Sequence, residues 1–315
     1  MSFKVLIADK ISDEACKILQ DAGLEVTKKI GLDEDGLAKE VQGFDAILVR
    51  SAVKVTRKVI EAGKSSLKVI GRAGVGVDNI DVEAAKEANI LVMNVPQGNA
   101  IAAAEHTIGL MFAMARMIPQ AMQSLQGGEW ERSKFVGVEL CGKRLGVIGF
   151  GAVGRIVADR ALGLRMHVSA YDPSVATYVM EAMGVCPALT LDELLPNADI
   201  VSLHATLTPA TRGLINKETI SKMKKGAMLI NTARGALVDE EALLDALNSG
   251  HISFAALDVF TKEPPPKDNP LIHHPRVIVT PHLGASTHES QRKVALAIAR
   301  QVRDYLLNGV IAGAV

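Results

Sequence analysis

Residues 145–155 read Leu145-Gly146-Val147-Ile148-Gly149-Phe150-Gly151-Ala152-Val153-Gly154-Arg155. An apolar run of strand character ends in Gly-x-Gly-x-x-Gly, and a helical pattern through Ile156, Val157, Ala161 and Leu162 begins at once. Each glycine answers a different steric demand. Gly149 makes the tight turn, Gly151 lets a pyrophosphate come against bare backbone, and Gly154 allows helix and strand to pack closely. The helix N-terminus then offers free N–H groups and a positive dipole end to the phosphates. Glycines alone do not decide the matter, since many α/β proteins turn from strand to helix through them. The next strand does. The run from Met166 to Tyr171 leads into Asp172, close to the ~20-residue offset at which a carboxylate takes an adenosine ribose 2′-hydroxyl. A dinucleotide fold follows, with NAD as the cofactor, because a carboxylate there repels the 2′-phosphate of NADP.

At 315 residues the chain is too long for one ordinary core and suits two domains. It is 48% hydrophobic but only 3% aromatic, so the core is built from Ala, Val, Leu, Ile and Met. Lys+Arg and Asp+Glu are balanced at 35 each, which leaves no field to attract nucleic acid or a membrane surface. Cys16, Cys141 and Cys186 are widely spaced, with no metal-ligand pattern. An odd count without a signal peptide reads as reduced thiols in a cytoplasmic protein. The most apolar stretch, Ile101 to Met117, contains Glu105, His106 and Arg116, which argues for a buried helix and against a membrane span.

Outward from the glycine motif, strand and helix alternate in both directions. Upstream, strand-like runs at 4–8, 24–27, 46–49, 67–70 and 90–93 are separated by helical patterns, which predicts a parallel sheet with helices on both faces. Asn99 then caps a long helix reaching about Leu125, interrupted at Pro119 and followed by an irregular arm over 130–144. Downstream, strands are expected at 145–149, 167–171, near Val185, and at 200–203, 228–230, 254–257 and 277–279, with helices from 153, 175, 190, 216 and 239. A last helix runs from Glu289 to Leu307. The fold class is α/β, with two doubly wound parallel-sheet (Rossmann-like) domains separated by a cleft. The dinucleotide fingerprint occurs only in the second.

In open parallel sheets, ligands sit at the carboxyl ends of strands. Polar residues just after strands therefore carry the chemistry. Asn231-Thr232-Ala233-Arg234-Gly235, Asp258 to Pro264 and Thr280-Pro281-His282-Leu283-Gly284 follow three such strands. Arg234, Glu263 and His282 are expected to converge beside the nicotinamide, where they suit an alcohol-to-ketone redox step. His282 would be the general base, or the acid in reverse. Glu263 would fix the histidine tautomer and stabilise the imidazolium. Arg234 would grip the substrate carboxylate and polarise the carbonyl oxygen. Each has a plainer reading on its own; together, at neighbouring strand ends of an NAD domain, they point to catalysis.

This constellation resembles the D-isomer-specific 2-hydroxyacid dehydrogenase family. The matching stretches are 49–56, 71–79, Gly98-Asn99 with Ala104-Glu105, Gly149 to Gly154, Asn231 to Gly235, Asp258-Val259-Phe260 with Glu263-Pro264, and Pro281 to Thr287. They cover nearly the whole chain. The resemblance implies the catalytic roles given above for Arg234, Glu263 and His282. It also implies a substrate-binding domain of residues 1–97 plus 286–315, and an NAD-binding and dimerisation domain of residues 98–285, pairing partly through the helix after Asn99. Carried over position by position, Val75, Gly149, Gly151, Ala152, Val153, Gly154, Asp172, Ala205, Thr232, Ala233, Arg234, Asp258, His282, Gly284 and Ala285 would line the cofactor. One departure is Ala205-Thr206-Leu207, where family members often have a proline before the leucine. It bears on the loop below the adenine.

Within the family the resemblance runs closest to the branch that oxidises 3-phospho-D-glycerate to 3-phosphohydroxypyruvate, the first step of serine biosynthesis. A site for that substrate needs several cations. Arg50, Ser51 and Lys54 after the third strand, Arg72 and Gly74 after the fourth, Asn99, and Arg132 and Lys134 in the arm are the expected substrate contacts. The expected partner is thus a phosphorylated 2-hydroxy or 2-keto acid, with the chain a homodimer or higher homo-oligomer. Many members of that branch carry a further C-terminal regulatory domain, which would begin where this chain stops, at Val315. The alternatives are a glyoxylate/hydroxypyruvate reductase or other D-2-hydroxyacid dehydrogenase and, more remotely, a non-catalytic NAD-sensing corepressor-like protein.

Overall fold

The structure, a computed structural model, describes residues 2–315. The chain separates into two compact units, residues 1–99 with 286–315 and residues 100–285. The first holds β1 (Lys4–Ile7), α1 (Asp13–Asp21), β2 (Glu25–Lys28), α2 (Glu34–Glu40), β3 (Ala46–Val49), α3 (Arg57–Gly63), β4 (Val69–Arg72), α4 (Val82–Glu87) and β5 (Leu91–Met93). The second begins with α5 (Ala100–Ala115) and α6 (Ile118–Gln126). It continues through β6 (Arg144–Ile148), α7 (Ala152–Gly163), β7 (His167–Tyr171), α8 (Thr177–Glu181), β8 (Cys186–Pro187), α9 (Leu191–Leu194) and β9 (Ile200–Leu203). It ends with α10 (Lys217–Lys222), β10 (Ala227–Asn231), α11 (Glu240–Ser249), β11 (Ile252–Leu257), α12 (Pro270–His273) and β12 (Val277–Val279). The chain then returns to the first unit as α13 (His288–Asn308).

In the first unit the strands lie in the order β2-β1-β3-β4-β5, all parallel. Alternate residues feed opposite faces, as the two-residue period of a strand requires. Val5, Ile7, Ala46 and Leu48 pack under α1 and α13, while Leu6, Ile47 and Val49 pack against α2, α3 and α4. Helix α13 is amphipathic. It buries Val294, Ala295, Ile298, Ala299, Val302 and Leu306, and each large aliphatic side chain so buried contributes roughly 1.5–3 kcal/mol. Gly71 in β4 makes this approach possible, since a Cβ there would lie 2.8 Å from Val302 and 3.0 Å from Ile298. Thr287 caps α13 by accepting from the Ser290 N–H at 3.1 Å. At the other end, the backbone N–H of Asn94 donates to the Gly313 carbonyl at 2.8 Å, and that of Val315 to the Val92 carbonyl at 3.1 Å. The last residues therefore line the edge of β5.

The second unit is a seven-stranded parallel sheet ordered β12-β11-β10-β9-β6-β7-β8. Counted from β6, this is the 3-2-1-4-5-6 order of dinucleotide-binding sheets with one further strand, and the order reverses between β6 and β9. Helices α5, α7 and α8 cover one face, and α9 to α12 the other. No single helix among the described residues is long and apolar enough to cross a membrane.

The expected interruption at Pro119 falls two residues earlier. Met117 takes the left-handed conformation at φ 49°, and Pro119 sits inside the first turn of α6. A proline has no N–H to lose there and its fixed φ suits that turn, so the break is displaced upstream. The two helices meet at 60°. The arm over 130–144 is irregular apart from a 3-10 turn at Arg132–Lys134. Helix α12, within a proline-rich loop, was not expected; Asn269 caps it and Pro270 opens it.

Candidate active site

The glycine motif adopts the geometry its residues require. Gly149 has φ 92°, and a Cβ on it would lie 2.4 Å from the Ala205 nitrogen. It both turns the chain and lets the β9 loop press against the β6 turn. A Cβ on Gly154 would lie 2.0 Å from the Gly149 carbonyl oxygen, so this glycine closes α7 onto its own turn. At Gly151, by contrast, an added Cβ would meet nothing within 4 Å. That open backbone sits at the N-cap of α7, with Ala152 and Val153 in its first turn. A bare, solvent-facing helix N-terminus at the reversal of strand order suits a pyrophosphate.

Asp172 lies at the end of β7, as expected, but its carboxylate is already engaged. Oδ2 accepts from the Phe150 N–H at 2.8 Å and Oδ1 from the Ser174 N–H at 2.9 Å. The carboxylate thus ties β7 to the glycine turn. Its remaining lone pairs are the ones left for a ribose hydroxyl. After β9, burial pushes the pKa of His204 down to about 3; neutral, it bonds the Ser202 hydroxyl at 2.8 Å.

Three loops after β10, β11 and β12 carry the polar residues singled out in the sequence. Asn231, 1% exposed, staples the first. Its amide N–H donates to the Arg234 carbonyl at 2.9 Å and its oxygen accepts from the Ala233 N–H at 3.1 Å. Arg234 Nη1 donates to the Ala233 carbonyl at 2.8 Å. Gly235 follows because nothing larger fits: a Cβ would lie 1.9 Å from the Phe260 carbonyl carbon. The β10 and β11 loops touch backbone to backbone at this point.

His282 Nδ1 and Glu263 Oε2 are 2.7 Å apart. A carboxylate only accepts, so the proton is on Nδ1, and Nε2 is the nitrogen that remains. The Glu263 hydrogen bond raises the His282 pKa above its ordinary value; desolvation and the Arg234 charge oppose the rise, and the charges of Glu263 and Asp258 assist it. For Glu263, burial pushes up, but the bonds from His282 and the Phe260 N–H and the charges of His282 and Arg234 prevail, and the pKa is lowered. The pair is half-exposed, with side-chain exposures of 50% for His282 and 37% for Glu263. A pocket of ≈ 370 Å³ opens there, lined among others by Phe260, Pro264, Ile272 and Thr280.

Asp258 is buried at 1% exposure and binds more groups than the sequence indicated. Its carboxylate accepts from the Leu283 N–H at 2.7 Å, the Gly284 N–H at 2.8 Å, the Thr280 hydroxyl at 2.5 Å and His106 Nε2 at 3.2 Å. Burial raises its pKa, but those bonds outweigh burial and hold it below the ordinary carboxylate value. Thr232 is held from the same side, its hydroxyl 2.8 Å from that of Thr107. Ala285 follows directly, the last residue of the unit. His106 and Thr107, both on α5, were not singled out in the sequence. The signal was there: a His-Thr pair beside the buried face of a mainly apolar helix must find polar partners.

The residues expected to hold substrate lie mainly in the first unit. Arg50 follows β3, its N–H donating to Asp9 Oδ2 at 3.0 Å and its Nη1 to the Lys10 carbonyl at 3.1 Å. Asp9 and Arg50 mark the ends of β1 and β3, where the order β2-β1-β3 reverses in this sheet. Ser51 and Lys54 are exposed beyond them. Arg72 ends β4, and Gly74 (φ 151°) leaves room for its guanidinium, since a Cβ there would lie 1.5 Å from Arg72 Nη1. Val75 accepts from the Asn94 amide through its carbonyl at 2.5 Å. Asn99 is the last residue before the second unit. Arg132 and Lys134 are exposed on the arm, and Lys134 is ion-paired with Glu131.

Comparison with known proteins agrees with this geometry. Residues 108–284 match the family described as D-isomer specific 2-hydroxyacid dehydrogenase, NAD binding domain. The chain is 50% identical over 312 residues to D-3-phosphoglycerate dehydrogenase 2, chloroplastic, of Arabidopsis thaliana, covering 99% of this chain and 50% of that protein. The chain spans about half the length of the curated relatives it matches. Among solved structures, it is similar to NAD+-bound 3-phosphoglycerate dehydrogenase of Entamoeba histolytica, with TM-score 0.84 and 31% identity, covering 100% of this chain and 99% of that one. It is similar to a glyoxylate reductase from Paecilomyes thermophila at TM-score 0.90 and 30% identity, covering 100% and 98%.

Proposed function

The chain belongs to the D-isomer-specific 2-hydroxyacid dehydrogenase family, and we propose that it interconverts 3-phospho-D-glycerate and 3-phosphohydroxypyruvate with NAD. The observation that carries the reading is the His282–Glu263 pair at 2.7 Å, on loops that adjoin that of Arg234. When bound, NAD supplies the chemistry of hydride acceptance and return at its nicotinamide. The residues for it are Gly149, Gly151, Ala152, Val153 and Gly154 at the phosphates and Asp172 at the ribose. Thr232, Ala233, Asp258, Gly284 and Ala285 serve the nicotinamide end, with Val75 and Ala205 completing the lining.

The chain's own groups move the proton. In the oxidising direction, neutral His282 takes the hydroxyl proton on Nε2, and Glu263 stabilises the imidazolium through Nδ1. In the reducing direction, the same imidazolium returns the proton to the carbonyl oxygen. The Glu263 hydrogen bond, which raises the His282 pKa, stabilises the imidazolium that oxidation forms and reduction consumes. Arg234 holds the substrate carboxylate and draws charge from the carbonyl.

The phosphorylated substrate is supported by the Arabidopsis thaliana relative at 50% identity and by Arg50 and Arg72 at the carboxyl ends of β3 and β4. We assign Ser51, Lys54, Gly74 and Asn99 to the same site, and Arg132 and Lys134 to the site of a second subunit. A homodimer is supported by exposed apolar side chains on α6 and the arm: Ile118, Met122, Leu125, Trp130 and Val136. The runner-up, a glyoxylate or hydroxypyruvate reductase, has the structural likeness to the glyoxylate reductase in its favour. The test is a substrate panel with NADH. Highest kcat/KM for phosphohydroxypyruvate over hydroxypyruvate, glyoxylate and pyruvate is expected; preference for glyoxylate would establish the runner-up.

A further inference from the structure

His282 has φ 54°, a left-handed conformation that is uncommon for any residue but glycine, although histidine, like asparagine and aspartate, enters it more readily than most. Something must hold it there. Three successive N–H groups of its loop close on one residue. His282 N–H donates to the Asp258 carbonyl at 2.8 Å. The Leu283 and Gly284 N–H groups donate to the two oxygens of the Asp258 carboxylate at 2.7 and 2.8 Å. The turn that presents the imidazole is thus wrapped around a buried carboxylate. Such a carboxylate is a dependable anchor only while it stays ionised and oriented.

Both conditions are met from behind, by α5. His106 Nε2 lies 3.2 Å from Asp258 Oδ1 and 3.0 Å from the Thr280 hydroxyl, which itself donates to Oδ1 at 2.5 Å. Thr280 spends its only proton on the carboxylate, so it accepts from His106, and the His106 proton lies on Nε2 between the two. The neighbouring Thr107 bonds Thr232 at 2.8 Å, so one turn of α5 is tied to the loops that carry both Arg234 and His282. We propose that His106 is a positioning residue, acting through Asp258 to hold His282 in its left-handed conformation and hence in register with Glu263. The assignment rests on the reading of His282 as the proton-transfer group.

The experiment compares His106→Leu, which removes the donor, with His106→Gln, whose amide N–H can take the place of Nε2–H. Four quantities are measured: kcat and KM for NADH-linked reduction of phosphohydroxypyruvate and glyoxylate, NADH affinity by fluorescence, and the His282 imidazole titration by NMR, assigned by difference from His282→Ala. Loss of one charge-assisted bond should lower kcat about tenfold or more in H106L while KM and NADH affinity stay within about threefold. The His282 titration should fall with it. The charged groups facing that ring are Glu263, Asp258 and Arg234, and a loosened turn weakens the Glu263 contact first. H106Q should recover most of both. If H106L does not fold, Thr280→Val, which takes the hydroxyl out of the same cluster at nearly constant volume, carries the same expectation. Unchanged kcat and His282 titration in these variants overturn the proposal. So does a loss of activity equal in H106L and H106Q without movement of the titration, which marks a structural residue. If the unmutated protein reduced no 2-keto acid with NADH, the functional reading would fail, while the NMR comparison would still decide whether His106 governs His282.

Discussion

Replacing Gly235 with alanine adds one methyl group where the β10 and β11 loops meet. The new Cβ would stand 1.9 Å from the Phe260 carbonyl carbon, 2.2 Å from its oxygen and 2.3 Å from the Thr261 nitrogen. All three are backbone atoms, so no side chain can swing aside. Ordinary carbon contact begins near 3.5 Å, and the loops must part by about 1.5 Å to restore it. Arg234 precedes the new methyl directly, and Glu263 lies three residues beyond Phe260, so the movement separates the groups assigned to carboxylate binding and to histidine support. Misplacement by about 1 Å costs on the order of 10²-fold in rate, and overpacking costs about 1–3 kcal/mol of stability. The expected result is kcat/KM lower by about 10² or more, with a thermal midpoint lower by roughly 2–4 °C for each kcal/mol lost. The assay is steady-state reduction of phosphohydroxypyruvate with NADH, alongside calorimetry. Gly163→Ala serves as control, because a Cβ there meets nothing within 4 Å. If G235A kept kcat/KM within a factor of three of the parent, contact between these loops would not set the geometry of the site.

Gly151→Ala tests the cofactor surface from the opposite premise: open space at that position predicts an unchanged thermal midpoint and weakened NADH binding, read by fluorescence titration. Asp172→Ala should narrow the preference for NADH over NADPH, and because Asp172 also holds the Phe150 and Ser174 N–H groups, NADH binding should weaken too. Equal use of both cofactors by the unmutated protein would refute the role of Asp172. Glu263→Gln removes the main cause of the raised His282 pKa, so that pKa falls. Oxidation needs neutral imidazole and reduction needs imidazolium, so the acid limb of the oxidation profile and the alkaline limb of the reduction profile both move to lower pH; kcat/KM against pH in each direction checks the sign. His282→Ala should abolish turnover yet still bind NADH. Arg50→Ala or Arg72→Ala should raise KM for phosphohydroxypyruvate about tenfold or more, since a charge-assisted bond contributes ~1.5–3 kcal/mol, with less effect on glyoxylate.

The two-sheet α/β architecture could be read in the sequence because its determinants are local. The turn at Gly149, the exposed backbone at Gly151 and the close packing at Gly154 are each set within a few residues of the motif. Arg234, Glu263 and His282 were legible because a parallel sheet sends every strand's carboxyl end the same way, and that topology follows from the alternation of strand and helix. The support beneath them was not legible. His106 meets Asp258 across 152 positions and Thr280 across 174, and no periodicity encodes such a pairing. Nor does sequence alone reveal that the Asp172 carboxylate is occupied by backbone N–H groups, or that Gly235 answers to Phe260 on the loop after another strand. The bend at Met117 was displaced from Pro119 because a proline is better accommodated just inside a helix than at its break.

The return of α13 to the first unit has a consequence for how the chain is made. Residues 100–285 are continuous and emerge from the ribosome as one piece. The amino-terminal unit begins first but is completed only after residues 100–285, because Val294, Ile298 and Val302 and the residues lining the edge of β5 follow them in the chain. At 5–20 residues per second, residue 315 follows residue 99 by about 10–40 s. For that interval the nascent sheet holds part of one apolar face, including the groove at Gly71, and one strand edge open to water. Exposed faces and edges of that kind are what chaperones bind and what promotes aggregation. Synthesis rate and chaperone supply should therefore influence the yield of active protein through its first hundred residues, whose own sequence is complete long before their fold is.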